Sequence, residues 1–209
     1  TKAANPFLLV QSLASCMWSR PHGLTIIMLE SLQFWMQRSG QLGLEDRENR
    51  FQPTLVQALS YKGIAKISAG AGHCFAIDNL GVAYSWGACA DFQTGFHVEP
   101  IREGNILKHC LERPTMLEEF AIGALVKEIS CGVKHTAIVT RNSRLVVFGG
   151  NQFGQCASEE TGHNAVSDEL QYTNIGFDDE IESVACGAAH TLVKTAEGKL
   201  FAFGLNDKG

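Results

Sequence analysis

No stretch of this sequence is long and apolar enough to cross a bilayer as a helix. The run Leu24–Leu29 falls far short of the roughly 20 apolar residues that such a span needs. Phe7–Val10 imitates a short secretory core, but Gln11 and Ser12 break it and no basic cluster precedes it, so it reads as a strand. No membrane insertion is expected. A basic stripe is missing too. Lysine and arginine number 17 against 22 aspartates and glutamates, a net charge of −5. Residues 1–60 hold five basic and four acidic side chains, and residues 61–209 twelve and eighteen. Direct nucleic-acid binding needs clustered cations to neutralise phosphates, so it is not expected, and no run of five like charges marks a charged tail. The seven cysteines include no Cys-x-x-Cys pair. An odd number without paired spacing reads as reduced thiols in a cytoplasmic or nuclear protein. Proline is scarce as well, five residues against 21 glycines, which suits many tight turns between short strands.

What the sequence does have is repetition. Three segments superimpose without gaps: Ile64–Gly87, Val126–Gly149 and Ile181–Gly204. Gly70, Gly132 and Gly187 each stand three residues before His73, His135 and His190. Fourteen residues after each histidine comes Gly87, Gly149 or Gly204, preceded by an aromatic: Trp86, Phe148 or Phe203. The histidines lie 62 and 55 residues apart, so the linking loops vary while the core does not. A damaged copy lies upstream. His22 is 51 residues before His73 and Trp35 falls 13 residues after His22, where the aromatic belongs, but Ser19 and Met36 replace the two glycines. Gly40-Gln41-Leu42-Gly43 matches the ending in residue type but not in spacing.

The period predicts an all-β chain. Ile64–Ala69 forms a strand, Gly70 turns it, and Cys74–Ile77 forms a second. Asp78-Asn79-Leu80-Gly81 makes a hairpin turn. Val82, Tyr84 and Trp86 alternate with Ala83 and Ser85, the two-residue period of a strand. A final strand follows the loop, as at Pro53–Leu59 and Pro114–Phe120. Four short antiparallel strands make one blade of a β-propeller. Small residues at one level (Ala69, Cys131 and Cys186, with Ser68, Ser130 and Ala185) suit strands that crowd toward a propeller axis. Ile67, Ile129 and Val184 are placed to fill the space between blades. A blade cannot bury both faces alone, so stability must come from stacking. The expected organisation is a degenerate N-terminal repeat over 1–60, then repeats over 61–122, 123–177 and 178–209.

The pattern small-small-Gly-x-x-His-Thr, a hairpin, then aromatic-Gly-x-Asn-x-x-Gly-Gln resembles the regulator of chromosome condensation repeat. Gly149-Gly150-Asn151-Gln152-Phe153-Gly154-Gln155 matches its last part almost throughout, and Gly204-Leu205-Asn206-Asp207-Lys208-Gly209 matches to the end of the chain. In Gly87–Gly95, Cys89 stands for the asparagine and Phe92 for a glycine. Propellers of the family usually close with seven blades, so the resemblance implies an incomplete propeller here, an arc of about three to four blades. Such an arc leaves blade faces and strand edges open to association.

The chemistry-bearing residues read mainly as structure. Cys131-Gly132-Val133-Lys134-His135 and Cys186-Gly187-Ala188-Ala189-His190 look like two zinc half-sites. Each cysteine, however, replaces Ala69 of the sister repeat, so the position wants a small apolar residue; no metal and no cofactor is expected. A catalytic histidine is needed once, whereas His73, His135 and His190 recur. Each is expected to satisfy backbone groups near its own turn. No Gly-Lys-Ser/Thr, Gly-x-Ser-x-Gly or His-Glu-x-x-His occurs. No catalytic residue is assigned and the chain is not expected to be an enzyme.

One activity that the resemblance implies is guanine-nucleotide exchange on a small GTPase, through polar and acidic side chains between the repeat's glycine and histidine. The matching positions here are Ala71 and Gly72, Val133 and Lys134, Ala188 and Ala189, none of them acidic. A plant ultraviolet photoreceptor of the family relies on clustered tryptophans, but Trp18, Trp35 and Trp86 are scattered. Some large ubiquitin ligases carry such propellers as recognition domains, without their catalytic domain being present in this chain. The expected function is therefore protein–protein interaction, with exchange on a small GTPase as the alternative. The variable loops are Phe96–Arg113 and Ser158–Glu180. The second carries Glu159, Glu160, Asp168, Glu169, Asp178, Asp179 and Glu180, a candidate surface for a basic partner.

Overall fold

The computed structural model describes residues 39–103, 106–117, 125–158, 161–162, 165–167 and 179–207. The strands expected at Phe7–Val10 and Thr25–Leu29, together with His22 and Trp35, lie outside the described residues.

The described chain is all-β apart from one 3-10 turn, Gln57–Leu59. Its strands are β1 (Ile64–Ala69), β2 (His73–Asp78), β3 (Ala83–Ala88), β4 (Ile101–Glu103), β5 (Ile106–Lys108), β6 (Cys110–Met116), β7 (Val126–Cys131), β8 (His135–Thr140), β9 (Leu145–Gly150), β10 (Val166–Ser167), β11 (Ile181–Cys186), β12 (His190–Thr195) and β13 (Leu200–Gly204). They form antiparallel sheets in the orders β1-β2-β3-β6, β7-β8-β9-β10 and β11-β12-β13, plus the small β4-β5 hairpin. The three large sheets are successive blades of an incomplete β-propeller. β7 packs on β1 and β2, and β11 packs on β7 and β8.

Each blade is built by the same local devices. The register shifts at one place in every first strand, between Ile64 and Lys66, Val126 and Glu128, and Ile181 and Ser183. Each β-bulge adds twist there. The following hairpins close on a side-chain acceptor at their corner. Asp78 Oδ1 accepts from the Leu80 and Val82 amides, Thr140 Oγ1 from Arg144 N, and Thr195 Oγ1 from Lys199 N.

The two-residue alternation separates two cores rather than core from water. Tyr84 and Trp86 pack with Val56 and Leu59 on one side of the first blade, while Phe75, Ile77 and Ala83 pack with Ile138, Val146 and Phe148 on the other. Ala137, Val139, Leu145 and Val147 then meet Ile181, Val184 and Val193 between the second and third blades. The first and second blades are therefore each the shared wall of two cores, the physical basis of stacking stability.

Two expected strands differ. Pro53–Leu59 is extended and then makes the 3-10 turn, with Val56 and Leu59 as its buried anchors. The fourth strand of the first blade runs over Cys110–Met116 rather than Pro114–Phe120. Its pairing jumps from Ser85↔Thr115 to Gly87↔Leu111. Pro114 thus sits in an irregular stretch of an outer strand, where its missing N–H removes no ladder bond. Ile67 does not fill a seam: it is 45% exposed, while Ile129 and Val184 pack into the cores that their blades share with the preceding blade.

Candidate functional site

The recurring glycines and histidines meet in the seams between blades. A Cβ placed on Gly70 would lie 2.5 Å from His73 Cε1 and 2.3 Å from Gly132 O. On Gly132 it would lie 2.2 Å from His135 Cε1 and 2.8 Å from Gly187 O. Each glycine leaves room both for the ring of its own histidine and for the turn of the following blade. Gly87, Gly149 and Gly204 pair directly with His73, His135 and His190. Their φ angles of 100°, 109° and 112° are ones that other residues seldom adopt.

His73 and His135 do not bond to their own turns. His73 Nε2 lies 2.8 Å from Thr136 Oγ1 of the next blade, and His135 Nε2 lies 3.0 Å from Thr191 Oγ1 of the one after. Thr136 Oγ1 donates to Gln93 O at 2.8 Å and Thr191 Oγ1 to Gln155 O at 2.9 Å. A hydroxyl has one proton, here given to a carbonyl, so it accepts from the ring. This places the imidazole proton on Nε2 and leaves Nδ1 as a bare acceptor. Burial pushes the His73 ring down to about 3, and the neighbouring His135 adds to the shift. Burial likewise pushes His135 to about 4. Both rings are neutral at physiological pH, and His190 is exposed.

The small-residue level has a polar role as well as a steric one. Ser68 Oγ accepts from Cys131 N at 3.0 Å, and Ser130 Oγ accepts from Cys186 N at 2.8 Å. The Cys186 thiol donates to Ser130 O at 3.2 Å. Burial pushes Cys186 up to about 12 and raises Cys131 strongly. A zinc ligand must be a thiolate, which these surroundings disfavour. Among the described residues no group of three or more His, Cys, Asp or Glu is arranged to hold a metal ion.

The same column continues into the damaged upstream copy. Gly40 and Gly43 have φ of 64° and 69°, as Phe92 and Gly95 have 59° and 78°, and Gly154 and Ala157 have 78° and 54°. Gln41 O accepts from Trp86 Nε1 at 2.9 Å and from Cys74 Sγ at 3.4 Å. Cys74 thus occupies the place of Thr136 and Thr191, and the spacing mismatch at Gly40–Gly43 conceals an ending of the same shape.

Two models of the family described as "Regulator of chromosome condensation (RCC1) repeat" match this chain, one at residues 36–77 and the other at 126–155 and 181–209. The chain carries regulator of chromosome condensation repeats. It is 29% identical over 180 residues to the human probable E3 ubiquitin-protein ligase HERC3, covering 84% of this chain and 16% of that protein. It is 33% identical over 167 residues to the Arabidopsis thaliana ultraviolet-B receptor UVR8, covering 79% of this chain and 35% of the receptor. The chain therefore spans about a sixth to a third of these relatives' lengths. The crystal structure of human WBSCR16 shares the fold, with a TM-score of 0.64 at 21% identity over 88% of this chain and 43% of that one.

The remaining candidate residues lie on the repeats' loops. In the turns between glycine and histidine, Lys134 carries the charge, and its Nζ lies 3.2 Å from Asp91 Oδ2 of the preceding blade. In the acidic loop, Glu159, Glu160, Asp168, Glu169 and Asp178 lie outside the described residues. Asp179 Oδ2 binds Lys199 Nζ at 2.8 Å, and this hydrogen bond holds its carboxyl below the ordinary carboxylate range. Glu180 is exposed and its carbonyl accepts from Ala196 N. Asp179 therefore already has a cation. The β4-β5 hairpin lies within Phe96–Arg113 and pairs Ile101 with Lys108 and Glu103 with Ile106. Trp86 is fully buried, and the other two tryptophans lie outside the described residues. Among the described residues no helix is long and apolar enough to cross a membrane.

Proposed function

We propose that this chain is a protein-recognition module that binds through the loops of its propeller faces. The observation that carries this reading is the fate of the recurring histidines. His73 and His135 are fully buried, neutral and hydrogen-bonded across the seams. They are walls between blades and do not face a substrate. What differs between repeats is the loop length and charge, and variable loops on a rigid repeat scaffold are where such proteins place their contacts. The Ser158–Glu180 loop is the strongest candidate, and its chemistry suits a basic protein segment. Glu159, Glu160, Asp168, Glu169, Asp178 and Glu180 are the side chains assigned to that contact, since Asp179 is held by Lys199.

The test is charge reversal of those six residues to lysine, leaving Asp179 in place, followed by a pulldown compared with the unaltered chain. Loss of bound basic proteins is expected; an unchanged set of partners rejects the loop as the contact. Nucleotide exchange on a small GTPase is the competing reading. The turns that would approach a magnesium–phosphate group offer Lys134 and no carboxylate, which disfavours it. Accelerated release of bound guanine nucleotide on addition of the chain would overturn the scaffold reading.

A further inference from the structure

One loop position differs sharply between the first and second blades. In the turn after β3 it is Asp91, whose Oδ2 lies 3.2 Å from Lys134 Nζ of the second blade. Counted from Gly87 and Gly149, the same position after β9 is Phe153, and Ala189 stands where Lys134 does. The first seam closes this position with a carboxylate and an ammonium. The second seam has a ring and a methyl at the same two places.

Phe153 is 48% exposed, yet its backbone is fixed. Its amide donates to Gln155 Oε1 at 2.8 Å, Gly154 N donates to Asn151 O at 3.3 Å, and Gly162 N donates to Gln152 O at 3.1 Å. The loop returning past this turn brings Thr161 Cγ2 within 3.7 Å of a Cβ placed on Gly154, but leaves the ring open. A rigid exposed aromatic offers contact area at small entropic cost. Its stretch of chain is also one-sided in charge. Between Arg144 and Lys194 there is no lysine or arginine against eight aspartates and glutamates, and Glu159 and Glu160 follow the ring by six and seven residues. The face of an aromatic ring attracts cations, and this stretch supplies none of its own.

We propose that Phe153 anchors the basic partner and takes an arginine of that segment flat against its ring. The inference rests on the reading of residues 158–180 as an acidic contact and adds the side chain on which that contact centres. Arginine fits better than lysine, because its planar, weakly hydrated guanidinium stacks on aromatic faces while still pairing with carboxylates.

The test is fluorescence anisotropy with a labelled peptide of alternating glycine and arginine and its lysine counterpart of equal length. The proteins are the parent, Phe153→Leu, Phe153→Trp and the six-residue charge reversal of the loop. The parent should bind the arginine peptide about two- to five-fold more tightly than the lysine peptide, the size of an exposed cation–ring contact. Phe153→Leu keeps an apolar side chain without the ring and should bind both peptides alike. Phe153→Trp should widen the preference, because tryptophan is the strongest cation acceptor of the aromatic side chains. An absent preference in the parent, or one that Phe153→Leu leaves unchanged, overturns the inference while the loop reading stands. The charge-reversed loop should lose both peptides; unchanged binding there rejects the loop, and the leucine comparison still decides the ring. A parent that binds neither peptide overturns both. Because Phe153 is exposed, its variants should keep the parent's near-ultraviolet circular dichroism. If Phe153→Leu does not fold, Phe153→Trp decides, and a preference no wider than the parent's overturns the inference.

Discussion

Thr136→Val removes one hydroxyl and keeps the shape of the side chain, so it isolates the polar part of the first seam. In the native chain that hydroxyl accepts from His73 Nε2 and donates to Gln93 O, both at 2.8 Å, in a site with no solvent access. The valine leaves a buried N–H and a buried carbonyl without this partner. Each orphaned group costs about 1–3 kcal/mol, and the added methyl returns about 0.8 kcal/mol. The net loss is about 1–5 kcal/mol, which for a chain of this size lowers the melting temperature by about 2–20 °C. Urea unfolding at pH 7 of the parent, Thr136→Val and Thr136→Ser measures it. The serine keeps the hydroxyl and should recover most of the loss. Thr191→Val should resemble Thr136→Val, because its distances are 3.0 and 2.9 Å. A valine variant within about 0.5 kcal/mol of the parent, the usual size of an inert substitution, would refute the reasoning. So would a serine variant as damaged as the valine.

Acid should weaken the fold earlier than carboxylate titration alone would. His73 and His135 are held near 3 and 4 in the folded chain by burial, against about 6.5 when unfolded. The unfolded state therefore binds more protons below pH 6.5, and stability present above that pH is lost as the pH falls toward 4 and 3. Between pH 7 and 5 the loss is about 2 kcal/mol per histidine, and thermal melts that stay flat over this interval would contradict the burial of both rings. Phe92 takes a φ of 59° where the sister repeat has Gly154, and its ring packs 5.9 Å from Phe148 and 4.5 Å from His97. Phe92→Gly relieves about 1–2 kcal/mol of backbone strain but forfeits about 3–5 kcal/mol of aromatic packing. The variant should be less stable in denaturant titration by about 1–4 kcal/mol, and a more stable variant would show that strain outweighs the packing.

The fold was legible because its signature is a set of steric necessities. Gly70 and Gly132 must lack a Cβ so that a ring and a neighbouring turn can sit against them, and Gly87 must reach a φ near 100°. Requirements of that kind leave a fixed spacing in the sequence. The ends of the outer strands were less legible. β6 begins at Cys110 because its pairing with β3 slips across Pro114, and that slip depends on tertiary pairing. The partner of each histidine was missed because it lies 63 or 56 residues away. The acidic loop was visible as composition, but the Asp179–Lys199 pair within it is a tertiary fact.

The signal for those partners was nonetheless in the chain. Thr136 follows His135, and Thr191 follows His190. Consecutive residues of a strand point to opposite faces. A His-Thr pair on the second strand of a blade therefore offers its imidazole to one neighbour and its hydroxyl to the other. When such blades stack in sequence, every seam receives a ring from one side and a hydroxyl from the other, and the dipeptide alone implies the cross-blade bond. The same reasoning explains Cys74, which follows His73 and presents a thiol to Gln41 O on the trailing face at 3.4 Å. A thiol is a weaker donor than a hydroxyl, so this upstream seam lacks part of the polar support that Thr136 and Thr191 give the next two. Seams built this way use up the chain's recurring polar chemistry in holding blades together, which leaves the loops free to differ from repeat to repeat.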